Sequence, residues 1–192
     1  RALDVVIRYD PSVPSVEVME ARLPSPRFCT SAVWDGEYVY IFGGGFGQKP
    51  KGFGGDWYDD ILRYDPSTDT IETMSAKLPK PRYCTFAFYD GEYIYIIGGM
   101  TDRYYYYGPS PDGLERVVME GDILRYNPKT DKIETLLSFF QPWANAAVVW
   151  NGRSAYIFGG QHATSLYLGV SSDYDGVWEY TPGDNRLKLI AT

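Results

Sequence analysis

Few residues of this chain have the chemistry that catalysis or metal binding requires. His162 is the only histidine, and the two cysteines, Cys29 and Cys84, lie far apart in the sequence. A zinc or copper site needs several nitrogen or sulfur ligands at suitable spacing, which one histidine does not supply. The sequence therefore predicts no metal site and no cofactor. His162 is left as a candidate binding residue, with a general-base role as the alternative.

Two arginines stand at matching places in two similar segments. Arg27 and Arg82 each follow a proline, and the corresponding residue of a third segment is Trp143. A guanidinium group binds a carboxylate through two parallel hydrogen bonds. The arginines are thus candidates to hold an acidic ligand. The alternative is a structural ion pair with a neighbouring repeat.

The cysteines also occupy matching places, two residues after the arginines, and Asn145 is the third counterpart. A disulfide requires Cα atoms within about 7 Å of each other. Sites in adjacent repeats are expected to lie farther apart, so the sequence predicts buried, unlinked thiols. Asp60 and Asp122 recur in register as well, and we interpret them as hydrogen-bond acceptors rather than metal ligands.

These coincidences follow from an internal repeat. Residues 21–44 and 76–99 are identical at 16 of 24 positions, and residues 141–160 repeat the pattern in degraded form. A second element follows each copy, at 61–74, 123–136 and 177–190, and residues 5–19 hold a further copy of it without a partner before it. Repeats of this length indicate stacked supersecondary units.

Each repeat has the pattern of a four-stranded antiparallel meander. Residues 28–34 and 38–42 are apolar runs joined by Asp35-Gly36, a strong hairpin signal. Residues 61–64 and 70–74 form the second pair, joined by a turn with proline at a position that fixes φ. No segment has helical periodicity with caps.

The sequence resembles the kelch family. The residues that carry the resemblance are Gly43-Gly44, Gly98-Gly99 and Gly159-Gly160 after aromatic-aliphatic runs, with Pro26-Arg27 and Pro81-Arg82. It implies an all-β, kelch-type β-propeller with three full four-stranded blades (21–75, 76–137 and 138–192) and an N-terminal half-blade (1–20). Such rings are usually closed, so we expect further blades of a longer chain, a homo-oligomer that completes the ring, or a compact four-bladed ring.

The long segments between the second and third strands are the most variable parts of the repeats. In kelch propellers these loops share one face, and they are rich in aromatic residues here, which are enriched at protein interfaces. The candidate binding residues on this face are Phe46, Trp57, Tyr104, Tyr105, Tyr106 and His162, with Arg27, Arg82, Trp143 and Asn145 near the channel mouth. The alternative is that the rings pack over the ends of the propeller.

Composition excludes several classes of partner. The net charge is −7, whereas nucleic acid and anionic membrane surfaces call for basic patches. No apolar run is long enough to span a bilayer. We expect a soluble protein, with a cytoplasmic location favoured over secretion.

We expect a non-catalytic binding or scaffolding module that engages a protein or glycan through the loop face. One alternative is a sugar-processing enzyme, since some bacterial kelch rings catalyse sialic-acid mutarotation. That activity would require convergent polar groups in a pocket at the channel mouth. Another is an assembly unit that completes a propeller between chains.

Overall fold

The computed structural model describes residues 2–46, 56–102, 117–138, 142–163, 171–173 and 175–192. Tyr104, Tyr105 and Tyr106 lie outside these residues. The first strands in chain order are β1 (Leu3–Asp10), β2 (Ser15–Arg27), β3 (Ser31–Trp34), β4 (Val39–Phe42), β5 (Gly45–Phe46), β6 (Asp56–Trp57), β7 (Asp60–Asp65), β8 (Thr70–Lys77), β9 (Phe86–Tyr89) and β10 (Ile94–Ile97). The chain continues with β11 (Met100–Asp102), β12 (Val117–Met119), β13 (Asp122–Asn127), β14 (Lys132–Ser138), β15 (Trp143–Ala144), β16 (Ala147–Trp150), β17 (Ala155–Phe158), β18 (Gln161–Ala163), β19 (Ser171–Asp173), β20 (Val177–Thr181), a short 3-10 helix (Pro182–Asp184) and β21 (Arg186–Ala191).

Three of the sheets are four-stranded antiparallel meanders. Their strand orders are β3-β4-β7-β8 for the first blade, β9-β10-β13-β14 for the second and β16-β17-β20-β21 for the third. Strands β1 and β2 form a separate two-stranded sheet, the N-terminal ribbon. The all-β meander architecture predicted from the repeat is confirmed. Strand β2 continues to Arg27, past the predicted boundary at residue 20, and the repeat boundaries stay predictions.

The first hairpin of each blade is fixed by one polar side chain. In the second blade, Asp90 Oδ1 accepts hydrogen bonds from the backbone N–H groups of Glu92 (2.8 Å) and Tyr93 (2.7 Å). Gly91 lies between them with φ +106°, a conformation that side-chain-bearing residues rarely adopt. This turn brings β9 and β10 into register, with Tyr89 opposite Ile94.

The core lies between the blades. Along β10, Ile94 and Ile96 pack into the cluster shared with the first blade, while Tyr95 and Ile97 pack into the cluster shared with the third. The alternation follows from the two-residue period of a strand, and all four side chains are buried because blades cover both faces. On the third blade the far face is open, and Phe158 is 43% exposed.

Each blade is also hydrogen-bonded to the one before it at the outer turn. In the second blade, the Tyr126 hydroxyl donates to Asp131 Oδ1 (3.0 Å). The other carboxylate oxygen of Asp131 accepts from the backbone N–H groups of Ser75 (2.7 Å) and Ala76 (3.2 Å), which belong to the end of the first blade. Burial is the largest cause that raises the pKa of Tyr126, and the hydrogen bond to Asp131 is the second.

The N-terminal ribbon presents an apolar surface to solvent. Its exposed side chains include Leu3, Ile7, Val13, Val16 and Val18. The ribbon matches the third and fourth strands of a blade, in agreement with the unpaired repeat element found in the sequence. Among the described residues, no helix has the length and apolar character needed to cross a membrane.

Candidate binding site on the loop face

The loop face is the end of the blades at which the second strand leads to the third, formed in the first blade by residues 43–46 and 56–60. Arg27 lies beside it, with only 1% of its side chain exposed. Its Nη1 donates to Asp60 Oδ1 (2.8 Å) and to the Gly43 carbonyl (3.0 Å), and its Nη2 donates to Asp60 Oδ2 (3.0 Å). The guanidinium group also covers the Tyr58 ring at 4.5 Å.

Arg82 repeats this arrangement in the second blade. Its fully buried side chain donates to both carboxylate oxygens of Asp122 (2.6 and 3.1 Å) and to the Gly98 carbonyl (3.1 Å). Asp60 and Asp122 are therefore hydrogen-bond acceptors, as predicted. The partner belongs to the same repeat as the arginine, not to a neighbouring repeat as the structural alternative supposed. Because both guanidinium groups are buried and paired, the geometry does not favour direct contact with an acidic ligand.

In the third blade the arginine and its partner are replaced together. The Trp143 indole N–H donates to the Gly159 carbonyl (2.9 Å), the counterpart of the carbonyl that each arginine binds. The position equivalent to the aspartate is Gly176, because its carbonyl accepts from the Gly159 N–H (3.1 Å) as those of Asp60 and Asp122 accept from the first glycine after the second strand of their blades. Trp143 thus keeps the backbone hydrogen bond without a charge, so no buried carboxylate is left unpaired.

Cys29, Cys84 and Asn145 form an inner row that links successive blades. All three have positive φ, at +53°, +57° and +57°. The N–H of Cys84 donates to the Cys29 carbonyl (2.7 Å), and the N–H of Asn145 donates to the Cys84 carbonyl (3.0 Å). The two cysteines therefore lie closer together than the sequence predicted, and both thiols are free.

The two thiols differ in exposure. Cys84 is buried and Cys29 is exposed, so the predicted burial holds for only one of them. Cys84 packs with Met100, Met119 and Ala144. Burial, together with the neighbouring Cys29 thiol, raises the pKa of Cys84 to about 12, while a hydrogen bond with Asn145 lowers it.

Aromatic side chains from two blades meet on the loop face. Trp57 stacks on Tyr83 with ring centroids 3.9 Å apart and an interplanar angle of 16°. Phe28 meets the same indole edge-on at 5.9 Å. Phe28 and Phe46 are each 40% exposed, and Phe46 lies opposite Asp56 in the β5–β6 pair. We call Phe28, Phe46, Trp57 and Tyr83 the aromatic cluster.

Short backbone pairs hold this cluster in place. Phe28 and Gly45 exchange two hydrogen bonds (2.9 and 3.1 Å), and Gly45 pairs with Trp57. A Cβ atom on Gly45 would lie 2.0 Å from the Trp57 ring, so glycine is required for the indole to lie against the backbone.

The sequence predicted Phe46 and Trp57 as candidates but missed Phe28 and Tyr83. The available signal was an aromatic residue directly after Arg27 and Arg82 in both repeats.

The remaining candidates lie together in the third blade. Trp143 pairs with His162 between β15 and β18, and the Asn145 side-chain amide donates to Gln161 Oε1 (2.9 Å). Among the described residues, no group of three or more His, Cys, Asp or Glu side chains is arranged to hold a metal ion.

Two known proteins are similar to this chain in sequence or in architecture. A Kelch domain-containing protein of Archaeoglobus fulgidus is 27% identical over 154 residues, which are 77% of this chain and 41% of that protein. The solved structure of YjhT superimposes with a TM-score of 0.73 at 17% identity, over 98% of this chain and 59% of that one. The fold is that of a β-propeller, and the sequence is similar to that of a Kelch domain-containing protein. No protein-family model matches it.

The chain matches only part of the length of the proteins it resembles. It spans about two fifths of the curated relative and 59% of YjhT. The likeness to YjhT establishes the fold alone, because the identity is low.

Proposed function

We propose that this chain is a non-catalytic protein-binding module that takes up its partner on the aromatic cluster of the loop face. The observation that carries the proposal is the Phe28–Trp57–Tyr83 group, which joins two blades at the end where the variable loops begin; Phe28 is exposed, and Trp57 and Tyr83 are half-buried. Aromatic residues in such positions supply most of the binding energy of many protein interfaces.

The surroundings of the cluster resemble the anatomy of a protein interface. Lys77 pairs with Asp59 (3.3 Å) and Lys80 pairs with Glu120 (2.9 Å), and both lysines are more than half exposed. These pairs lie on the segments next to Trp57 and Tyr83. An apolar centre with a charged rim is typical of protein–protein contacts.

The packing within the cluster favours a protein partner over a glycan. The Trp57 ring already uses one face against Tyr83 and meets Phe28 edge-on, so the exposed surface is uneven. An uneven apolar surface suits side chains that insert between rings. We therefore expect peptide segments with apolar anchors to bind, and simple sugars to bind weakly.

The test is a selection with a random-peptide display library, followed by titration of the enriched peptides against purified variants. Trp57→Ala removes the central ring and is expected to weaken binding by about tenfold to a hundredfold, the effect of losing an interface hot spot. Trp34→Ala is the matched control. Trp34 is 51% exposed at the hairpin end of β3, opposite the loop face, and its loss should leave binding unchanged.

Equal affinity of the wild type and Trp57→Ala for every enriched peptide would overturn the proposal. A glycan array run on the same proteins distinguishes the two partner classes. Sugar binding that depends on Trp57, without any peptide binding, would replace the protein partner with a glycan.

A further inference from the structure

Cys29 and Cys84 are close enough to be joined. The backbone hydrogen bond between them, 2.7 Å from N to O, limits their Cα atoms to at most about 6.6 Å apart when standard bond lengths are added. Disulfides span Cα separations up to about 6.8 Å. The two residues lie two positions before the innermost strands of neighbouring blades, β3 and β9, at equivalent places and with the same left-handed backbone.

Their side chains also interact. Burial, first, and the adjacent Cys29 thiol together raise the pKa of the Cys84 thiol to about 12, and the Asn145 side chain acts in the opposite direction. Both thiols are free in this structure.

The pair is asymmetric with respect to solvent. Cys29 is exposed, whereas Cys84 is buried against Met100 and Met119. A reagent in solution reaches Cys29 first, and Cys84 reacts only with a group already attached to its neighbour. This order is that of an attacking and a resolving cysteine.

We propose that Cys29 and Cys84 form a dithiol modification site, which reacts with low-molecular-weight disulfides and closes to a disulfide between the first two blades. The oxidant is a small disulfide such as oxidised glutathione.

The exchange proceeds in two balanced steps. The Cys29 thiol gives its proton to solvent, and the thiolate attacks one sulfur of the small disulfide, whose S–S bond breaks and releases a thiolate that takes up a proton, leaving a mixed disulfide on Cys29. The Cys84 thiol gives its proton to solvent and attacks Cys29 Sγ, and the mixed S–S bond breaks to release a second thiolate, which is protonated in turn. Two electrons pass from the two cysteines to the small disulfide, which is reduced to two thiols.

The new bond would cross-link the inner ends of β3 and β9. These strands belong to separate sheets, which are held at this point by the Cys84–Cys29 backbone bond and by the 2.7 Å hydrogen bond between Ser31 Oγ and Thr85 Oγ1. The oxidised chain should therefore unfold at a higher temperature than the reduced chain.

The experiment incubates the folded, reduced chain with oxidised glutathione and measures intact mass and non-reduced proteolytic peptides. The wild type is expected to lose two hydrogen atoms and to yield one cross-linked pair of peptides containing Cys29 and Cys84. Cys84→Ala should retain one glutathione on Cys29, and Cys29→Ser should remain unmodified because its remaining thiol is buried. A reducing agent should restore the wild-type mass.

Two results would overturn the proposal. One is a wild type that keeps a stable glutathione adduct on Cys29, as Cys84→Ala does, since the second thiol then does not reach it. The other is a wild-type mass that does not change. Circular dichroism of each variant before oxidation establishes that it is folded, and Cys84→Ser replaces Cys84→Ala if the latter is not.

Discussion

The buried ion pair between Arg82 and Asp122 gives a prediction whose size follows from its geometry. The Arg82 side chain is fully buried and that of Asp122 is 13% exposed. Asp122→Ala would leave the guanidinium group with the Gly98 carbonyl (3.1 Å) as its main acceptor. Removing one partner of a buried pair costs about 3–5 kcal/mol, and partial access of water at Asp122 places the expected loss near 3 kcal/mol.

A loss of that size is a large part of the stability of a typical domain, about 5–15 kcal/mol. Urea unfolding followed by tryptophan fluorescence measures it, provided that the slopes of the wild type and the variant agree. Glu17→Ala is the control, because it breaks the exposed Arg8–Glu17 pair and should cost about 0–1 kcal/mol.

A double variant separates the cost of leaving the Arg82 charge unpaired from the loss of the Arg82–Asp122 contact itself. Arg82→Met with Asp122→Ala removes both charges, and its remaining defect is the Gly98 carbonyl, worth about 1 kcal/mol. We expect it to be more stable than Asp122→Ala alone. If Asp122→Ala costs no more than Glu17→Ala, or if the double variant is the less stable of the two, the reasoning about the buried charge is refuted.

Three further predictions use other described features. Gly98→Ala should prevent folding, because its Cβ would lie 1.9 Å from the Trp143 carbonyl oxygen. The Cβ of Gly91→Ala would have no atom within 4 Å, so this variant should stay folded with a modest loss of stability. Circular dichroism distinguishes the two outcomes. Trp143→Phe should cost about 0.5–1.5 kcal/mol in urea unfolding, since it removes the hydrogen bond to Gly159, and an unchanged midpoint would contradict that bond. Burial raises the pKa of Tyr180 to about 12, above its ordinary value of 10.0, so its contribution to stability is complete below pH 10 and is lost as the pH rises to 12. Unfolding midpoints measured across that interval should fall, and Tyr180→Phe should reduce the dependence.

The architecture was predictable because its signals are local and repeated. The Asp90-Gly91 pair sets a hairpin whose geometry depends on its own residues, and the same signal recurs in the other repeats. The alternation of the side chains of residues 94–97 between the two faces of the strand is also predictable in outline. That all four side chains are buried depends on the blades packed against both faces.

The contacts between repeats were less predictable. The separation of Cys29 and Cys84 was overestimated, because their place in the sequence does not show how closely the inner strands of neighbouring blades approach. Trp143 was predicted as a candidate binding residue at the place that arginine holds in the other repeats. Its indole N–H takes over a backbone hydrogen bond, while the position of the aspartate becomes Gly176, and this compensation is visible only once the paired positions are known.

The candidate site was found in part. Phe46 and Trp57 stand in a long loop where aromatic residues are conspicuous. Phe28 and Tyr83 lie three residues before the inner strands β3 and β9, in apolar segments where they look like core residues. Their assembly around one indole depends on the meeting of two blades, which no local pattern records. Tyr104, Tyr105 and Tyr106 stay predictions.

The most direct measurement of the central claim is hydroxyl-radical footprinting of the chain with and without a peptide selected by display. The aromatic cluster is predicted to be protected by the peptide at Phe28, Trp57 and Tyr83, while oxidation of Trp34 at the opposite end stays the same. Protection of Trp34 with unchanged oxidation of Trp57 would contradict a binding site on the loop face.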